Sequence, residues 1–153
     1  MNILFVCTGN TCRSPMAEWL LRDLCLKHNS SAKIKIMSAG TGAVDGWPAS
    51  ENTLKILKSQ GIDASSHKSR LLTADLIQWA DMAIAMTSSH KSAISRLAAE
   101  LPKKPEIWLL SEFADENDQI IDPFGGGENI YADCFSQMKK YVYSLYDIIT
   151  GKI

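Results

Sequence analysis

The chain alternates short apolar runs with longer stretches in which apolar residues return every three or four positions. The runs Ile3–Val6, Ile34–Met37, Met82–Met86 and Ile107–Leu110 read as strands of a parallel sheet, where both faces of the pleat are covered. Between them the period is helical. Ala17, Leu20, Leu21, Leu24 and Cys25 line one face of a first helix. Ser14-Pro15 predicts its start, because serine caps and proline lacks an N–H that the first turn would leave unpaired. Leu54 and Leu57 belong to a second helix that Gly61 stops. Leu72–Ala80 and Ser89–Ala99 predict a third and a fourth. A last helix is predicted from about Asn129 to Ile149, with Ile130, Cys134, Met138, Tyr141, Leu145 and Ile148 facing inward.

Alternating strands and helices imply an α/β fold with right-handed crossovers, although the pattern leaves the strand order open. At 153 residues, 46% hydrophobic and 22% charged, the sequence predicts one globular domain over residues 1–153. A net charge of −1 gives no electrostatic basis for binding nucleic acid or an anionic membrane. No apolar run reaches the ~18–20 residues of a membrane span, and the N-terminus lacks a basic leader, so a cytoplasmic location is expected. Four cysteines without a secretion signal read as reduced thiols.

One polar segment follows a different logic. Cys7-Thr8-Gly9-Asn10-Thr11-Cys12-Arg13-Ser14 leaves the first strand and enters the first helix. Only the thiolate attacks, and an ordinary thiol pKa of roughly 8.5 leaves little of it at neutral pH. A helix N-terminus supplies unpaired N–H donors and positive potential, which bind phosphate and favour the thiolate. The amides of residues 8–13 are therefore expected to cradle a tetrahedral oxyanion above Cys7. Gly9 permits the positive φ that such a curl requires, and Asn10 tolerates left-handed geometry while its side chain ties the loop to its surroundings. Arg13 offers a planar fork for two equatorial oxygens, and Ser14 is a candidate donor to the sulfur. A lone cysteine at a strand end would read as a small buried hydrophobe. Glycine, arginine and Ser-Pro in register on a strand, loop and helix argue for a nucleophile.

A second segment, Asp122-Pro123-Phe124-Gly125-Gly126-Gly127, is glycine-rich, precedes the last helix and is suited to placing an acid over the loop. A positioned carboxylic acid contributes ~10²–10⁴-fold by protonating a leaving group, and the same carboxyl can then activate water against a phosphocysteine. By itself Asp-Pro reads as a turn; beside Cys7 and Arg13 it supplies the missing role.

The run VCTGNTCRSPMAE resembles the N-terminal signature of the low-molecular-weight protein tyrosine phosphatase family. The likeness continues through Ser38-Ala39-Gly40, Gly61-Ile62, Ser66-His67 to Arg70, Ala85-Met86-Thr87 and Asp122-Pro123-Phe124. It implies a three-layer α/β/α fold, a four-stranded parallel sheet in flavodoxin-like order 2-1-3-4 flanked by about five helices. It implies Cys7 as nucleophile, Arg13 as phosphate binder and Asp122 as general acid. Ser38 and His67 fall on family positions that hydrogen-bond the loop asparagine, here Asn10. Cys12 falls on a cysteine that traps an oxidised nucleophile as a reversible disulfide, with packing under the loop as the alternative. No metal or other cofactor is expected, since three scattered histidines do not make a metal site. His28 and His90 read as surface residues, and Asp81 and Glu112 as solvated. Trp47 and Phe124 are expected at the substrate mouth, Trp19, Trp79 and Trp108 in structural positions, and Cys25 and Cys134 in the core. The expected partners are phosphorylated protein substrates, with inorganic phosphate as product and the enzyme a monomer.

Tyrosine-specific members usually carry a branched aliphatic residue where this chain has Thr11, and often Asp-Pro-Tyr where it has Asp-Pro-Phe. The Thr11 loop with Asp-Pro-Phe-Gly-Gly is similar to the bacterial protein arginine phosphatases of the family. A threonine hydroxyl and the Asp122 carboxylate can meet guanidinium N–H groups that an isoleucine would leave unpaired. Phosphoarginine is therefore the favoured substrate, with phosphotyrosine the alternative if Thr11 is a neutral swap. An arsenate reductase would need further cysteines after the third strand, where this chain has Met82, Met86 and Ser88-Ser89. A non-catalytic phosphate-binding module would not need Cys7, Arg13 and Asp122 together.

Overall fold

The computed structural model describes residues 1–151. Strands β1 (Asn2–Cys7), β2 (Lys35–Gly40), β3 (Met82–Ala85) and β4 (Glu106–Leu109) form one parallel sheet in the order β2-β1-β3-β4. Helices α1 (Arg13–Lys27), α2 (Glu51–Ser59), α3 (Ala74–Trp79), α4 (Ser88–Ala98) and α5 (Glu128–Thr150) flank it, and a 3-10 turn spans Leu110–Ala114. Order, parallel sense and helices match the expected α/β/α layers.

Successive side chains of β1 leave on opposite faces, as the pleat requires. Ile3, Phe5 and Cys7 pack with α1, α2 and α5 residues such as Leu21, Leu57 and Met138. Leu4 and Val6 pack on the other face with Ile77 of α3 and Ile94 of α4. Both clusters are fully buried around this central strand, which fixes the height at which Cys7 emerges from the sheet.

Local sequence sets most element ends. Ser50, Thr73 and Thr87 cap α2, α3 and α4, each accepting a backbone N–H three residues on. The Thr73 cap explains why α3 starts at Ala74 rather than at Leu72. Strand β2 runs three residues past Met37, through Ser38-Ala39-Gly40, because Phe5, Val6 and Cys7 pair with them. That pairing overrides the poor strand propensity of serine and glycine.

Two expectations need correcting. Ser14 does not cap α1: the helix begins at Arg13, Cys12 precedes it without a side-chain cap, and the Ser14 hydroxyl is used elsewhere. The inward face of α5 is Tyr131, Cys134, Phe135, Met138, Tyr141, Val142, Leu145 and Ile149, whereas Ile130 and Ile148 are exposed. Tyr131 points its hydroxyl at the buried Cys12 thiol and Tyr141 donates to the half-buried Glu116, so both polar ends are satisfied on this face. Cys25 and Cys134 are in the core as expected, with burial pushing their thiols up to about 11 and about 12. Among the described residues, no helix is long and apolar enough to cross a membrane.

Candidate active site

The segment between β1 and α1 curls over the carboxyl end of the sheet. Thr41 N–H donates to the Cys7 carbonyl, Gly42 N–H to that of Thr8 and Ser50 N–H to that of Thr11, each at 2.9 Å. Gly40 lies so close that a Cβ there would sit 2.3 Å from the Thr8 carbonyl oxygen, so only glycine permits this approach. The left-handed residue of the loop is Asn10, with φ of 57°, and Gly9 does not use its freedom to take positive φ.

The cost of that conformation is met by the Asn10 side chain and carbonyl, all buried. Its Nδ2–H groups donate to Ser14 Oγ and Ser38 Oγ at 2.8 Å each, and its Oδ1 accepts from Arg70 N–H at 3.0 Å. His67 Nε2–H donates to the Asn10 carbonyl at 2.8 Å. Ser38 and His67 thus contact Asn10 where expected.

These bonds have a direction. Glu18 is a buried carboxylate on α1 and accepts the Ser38 hydroxyl at 2.5 Å. Arg22 pairs with its other oxygen at 2.8 Å. With its proton committed to Glu18, Ser38 offers lone pairs to Asn10, and the second Nδ2–H occupies a lone pair of Ser14. The Ser14 proton is left to point at Cys7 Sγ, 2.9 Å away. A buried carboxylate on α1 itself therefore orients the donor that faces the sulfur.

Arg13 is buried and held from several sides. Its Nη1 donates to the Ile120 carbonyl at 3.0 Å and its Nη2 to Thr8 Oγ1 at 3.4 Å, while Asp122 Oδ2 stands 3.7 Å from Nη2. Asp122 is half exposed, and its Oδ1 accepts the Phe124 N–H at 3.0 Å in a tight turn. Cys7, Thr8, Gly9, Thr11, Cys12, Arg13, Trp47, Asp122 and Phe124 line one pocket of about 280 Å³. Trp47 and Phe124 are its exposed rim. Cys12 is a buried, reduced thiol, its Sγ 3.2 Å from the Tyr131 hydroxyl, whose pKa burial pushes up to about 12.

His90 is not a surface residue. It is buried beside the loop, its Nε2 2.8 Å from Thr8 Oγ1 and its Nδ1 2.9 Å from Thr87 Oγ1. Burial first, and then the Arg13 charge, lower its pKa from 6.5 to about 4, against a smaller opposing pull from Asp122. The unfolded chain then binds the proton more tightly, so stability falls as pH drops from about 6.5 towards 4. The expected loss is about 3 kcal/mol at the acid end. Urea titrations over that range should show a shallower slope in His90→Gln than in the wild type, the difference being the His90 contribution. Glu112 is likewise only half exposed, accepting Leu109 N–H and Lys91 Nζ.

Residues 2–152 match the low molecular weight phosphotyrosine protein phosphatase family. The chain belongs to this family. It is 42% identical to a protein-arginine-phosphatase of Geobacillus stearothermophilus over 130 residues, 84% of this chain and 82% of that one. It is 33% identical to the low molecular weight protein-tyrosine-phosphatase PtpB of Staphylococcus epidermidis over 99% of both chains. Among solved structures it is similar to a YwlE arginine phosphatase, a cysteine-to-serine mutant with a phosphorylated active site serine. That likeness has a TM-score of 0.89 at 31% identity, over 98% of this chain and 96% of that one.

Two residues of this phosphatase site escaped the sequence reading of roles. Glu18 shares a helix face with Leu21 and Cys25, three and seven residues on, and a carboxylate on an apolar stripe is a signal. His90 shares its face with Ile94 and Ala98 at helical spacing, which marks it as buried.

Proposed function

We propose that this phosphatase removes phosphoryl groups from arginine side chains of proteins, with Cys7 as nucleophile, Arg13 as phosphate clamp and Asp122 as acid and then base. The reading is carried by one observation: the pocket that holds Cys7 and Arg13 also presents Thr11 and Asp122 on its walls.

The chemistry follows from the parts. The Ser14 hydroxyl faces Cys7 Sγ at 2.9 Å as a donor. The sulfur attacks phosphorus in line, while Arg13 and the amides of residues 8–13 take up charge on the equatorial oxygens. Asp122 donates its proton to the leaving nitrogen, so the substrate arginine departs as guanidinium. The Asp122 carboxylate then draws a proton from water, which displaces phosphate from Cys7. Thr11 Oγ1 and Asp122 offer acceptors to guanidinium N–H groups, which a branched aliphatic side chain at 11 would leave unpaired.

Phosphotyrosine is the second reading, favoured by the aromatic and aliphatic rim of Trp47, Phe124 and Val44. Arsenate reduction is disfavoured, because Cys25 and Cys134 are core thiols with pKa values far above neutrality. Initial rates on matched phosphoarginine and phosphotyrosine peptides test the assignment, with Thr11→Ile beside the wild type. The wild type is expected to prefer phosphoarginine, and Thr11→Ile to lose about 1–3 kcal/mol of that preference. A phosphotyrosine preference unmoved by the substitution would overturn it.

A further inference from the structure

His90 has no part in the mechanism above, yet it is buried against the loop and meets Thr8 across 82 residues of sequence. Its other nitrogen meets Thr87, the residue that caps its own helix. Between His90 and the clamp stands one hydroxyl. Thr8 Oγ1 accepts from Arg13 Nη2 at 3.4 Å and lies 2.8 Å from His90 Nε2.

A hydroxyl has one proton to give. With Arg13 on an oxygen lone pair, the Thr8 proton finds an acceptor in His90 Nε2 if the ring proton sits on Nδ1. Nδ1–H then donates to Thr87 Oγ1 at 2.9 Å, and the Thr87 proton goes to Ser89 Oγ at 3.1 Å. Each proton has an acceptor in this arrangement. The opposite tautomer sends the Thr8 proton towards the guanidinium or the pocket, where no protein group receives it. The ring is neutral at pH 7, as an acceptor must be.

We propose that His90 is a positioning residue of the phosphate site, its unprotonated Nε2 taking the Thr8 proton and so turning the Thr8 oxygen onto Arg13. The guanidinium is then pinned between Thr8 on one side and the Ile120 carbonyl on the other. A clamp fixed before substrate arrives loses less side-chain entropy on binding and holds its geometry through the transition state. The proposal rests on Arg13 as phosphate clamp. If Cys7→Ser left turnover intact, that broader reading would fall; the results below bear on His90 alone.

The test compares His90→Leu, His90→Gln, Thr8→Val and the Leu/Val double variant, by kcat/KM and by inhibition with inorganic phosphate. Leucine fills the space without an acceptor, and glutamine restores one. His90→Leu and Thr8→Val should each lower kcat/KM and weaken phosphate inhibition by about tenfold. The double variant should be no worse than either single, since both cut the same link. His90→Gln should recover most of the loss. Full activity and phosphate affinity in folded His90→Leu, or independent additive losses, would overturn the proposal. If the leucine variant fails to fold, ¹⁵N NMR of the wild-type ring decides. A bare Nε2 and a protonated Nδ1 are expected, and a protonated Nε2 would contradict the proposal.

Discussion

Arg13→Lys is expected to lower kcat/KM by ~10³-fold or more, although the charge is kept. The guanidinium uses Nη1 for the Ile120 carbonyl and Nη2 for Thr8, beside Asp122, so its plane is set by neighbours on two sides. An ammonium is a point charge on a flexible stem and cannot reach these partners while facing two equatorial oxygens. The loss should appear in kcat as well as in KM, because the clamp meets charge that grows in the transition state. Steady-state kinetics on a phosphoarginine peptide check it; a Lys variant within a few-fold of wild type would remove Arg13 from its role.

Cys7→Ser should abolish turnover, by at least ~10⁴-fold, while leaving the fold and substrate binding in place. The serine hydroxyl is of similar shape but attacks poorly and makes a more stable phosphoester. Intact mass after long incubation with substrate should show one added phosphoryl group. Residual turnover near wild type would rule out covalent catalysis through Cys7.

Much of this arrangement was legible in the sequence because it is local or built on simple periods. Short apolar runs separated by helical periods gave four strands and their helices, and the spacing from Cys7 to Ser14 forces a loop between a strand end and a helix start. What was illegible depended on tertiary contacts. Pairing with β1 extends β2 through Gly40, and no local propensity announces it. The left-handed geometry of Asn10 and its bonds to Ser38 and His67 were expected, whereas the bond from Arg70 N–H to its Oδ1 comes only with the tertiary fold. Histidine at the start of an amphipathic helix is usually solvated, but Thr8 and Thr87 give His90 two partners and let it stay buried and neutral. Hydrophobicity alone favours Ile130 and Ile148 on the inward face, yet Tyr131, whose hydroxyl meets the buried Cys12 thiol, and Ile149 occupy it.

Rapid quench of the wild type in alkaline denaturant with excess phosphoarginine protein, followed by peptide mass spectrometry, tests the central claim most directly. The account predicts a phosphoryl group on the Cys7 thiol during turnover, absent when Cys7→Ala replaces the wild type. Turnover of phosphoarginine with no phosphocysteine at any time point, or with the phosphoryl group on another residue, would contradict it.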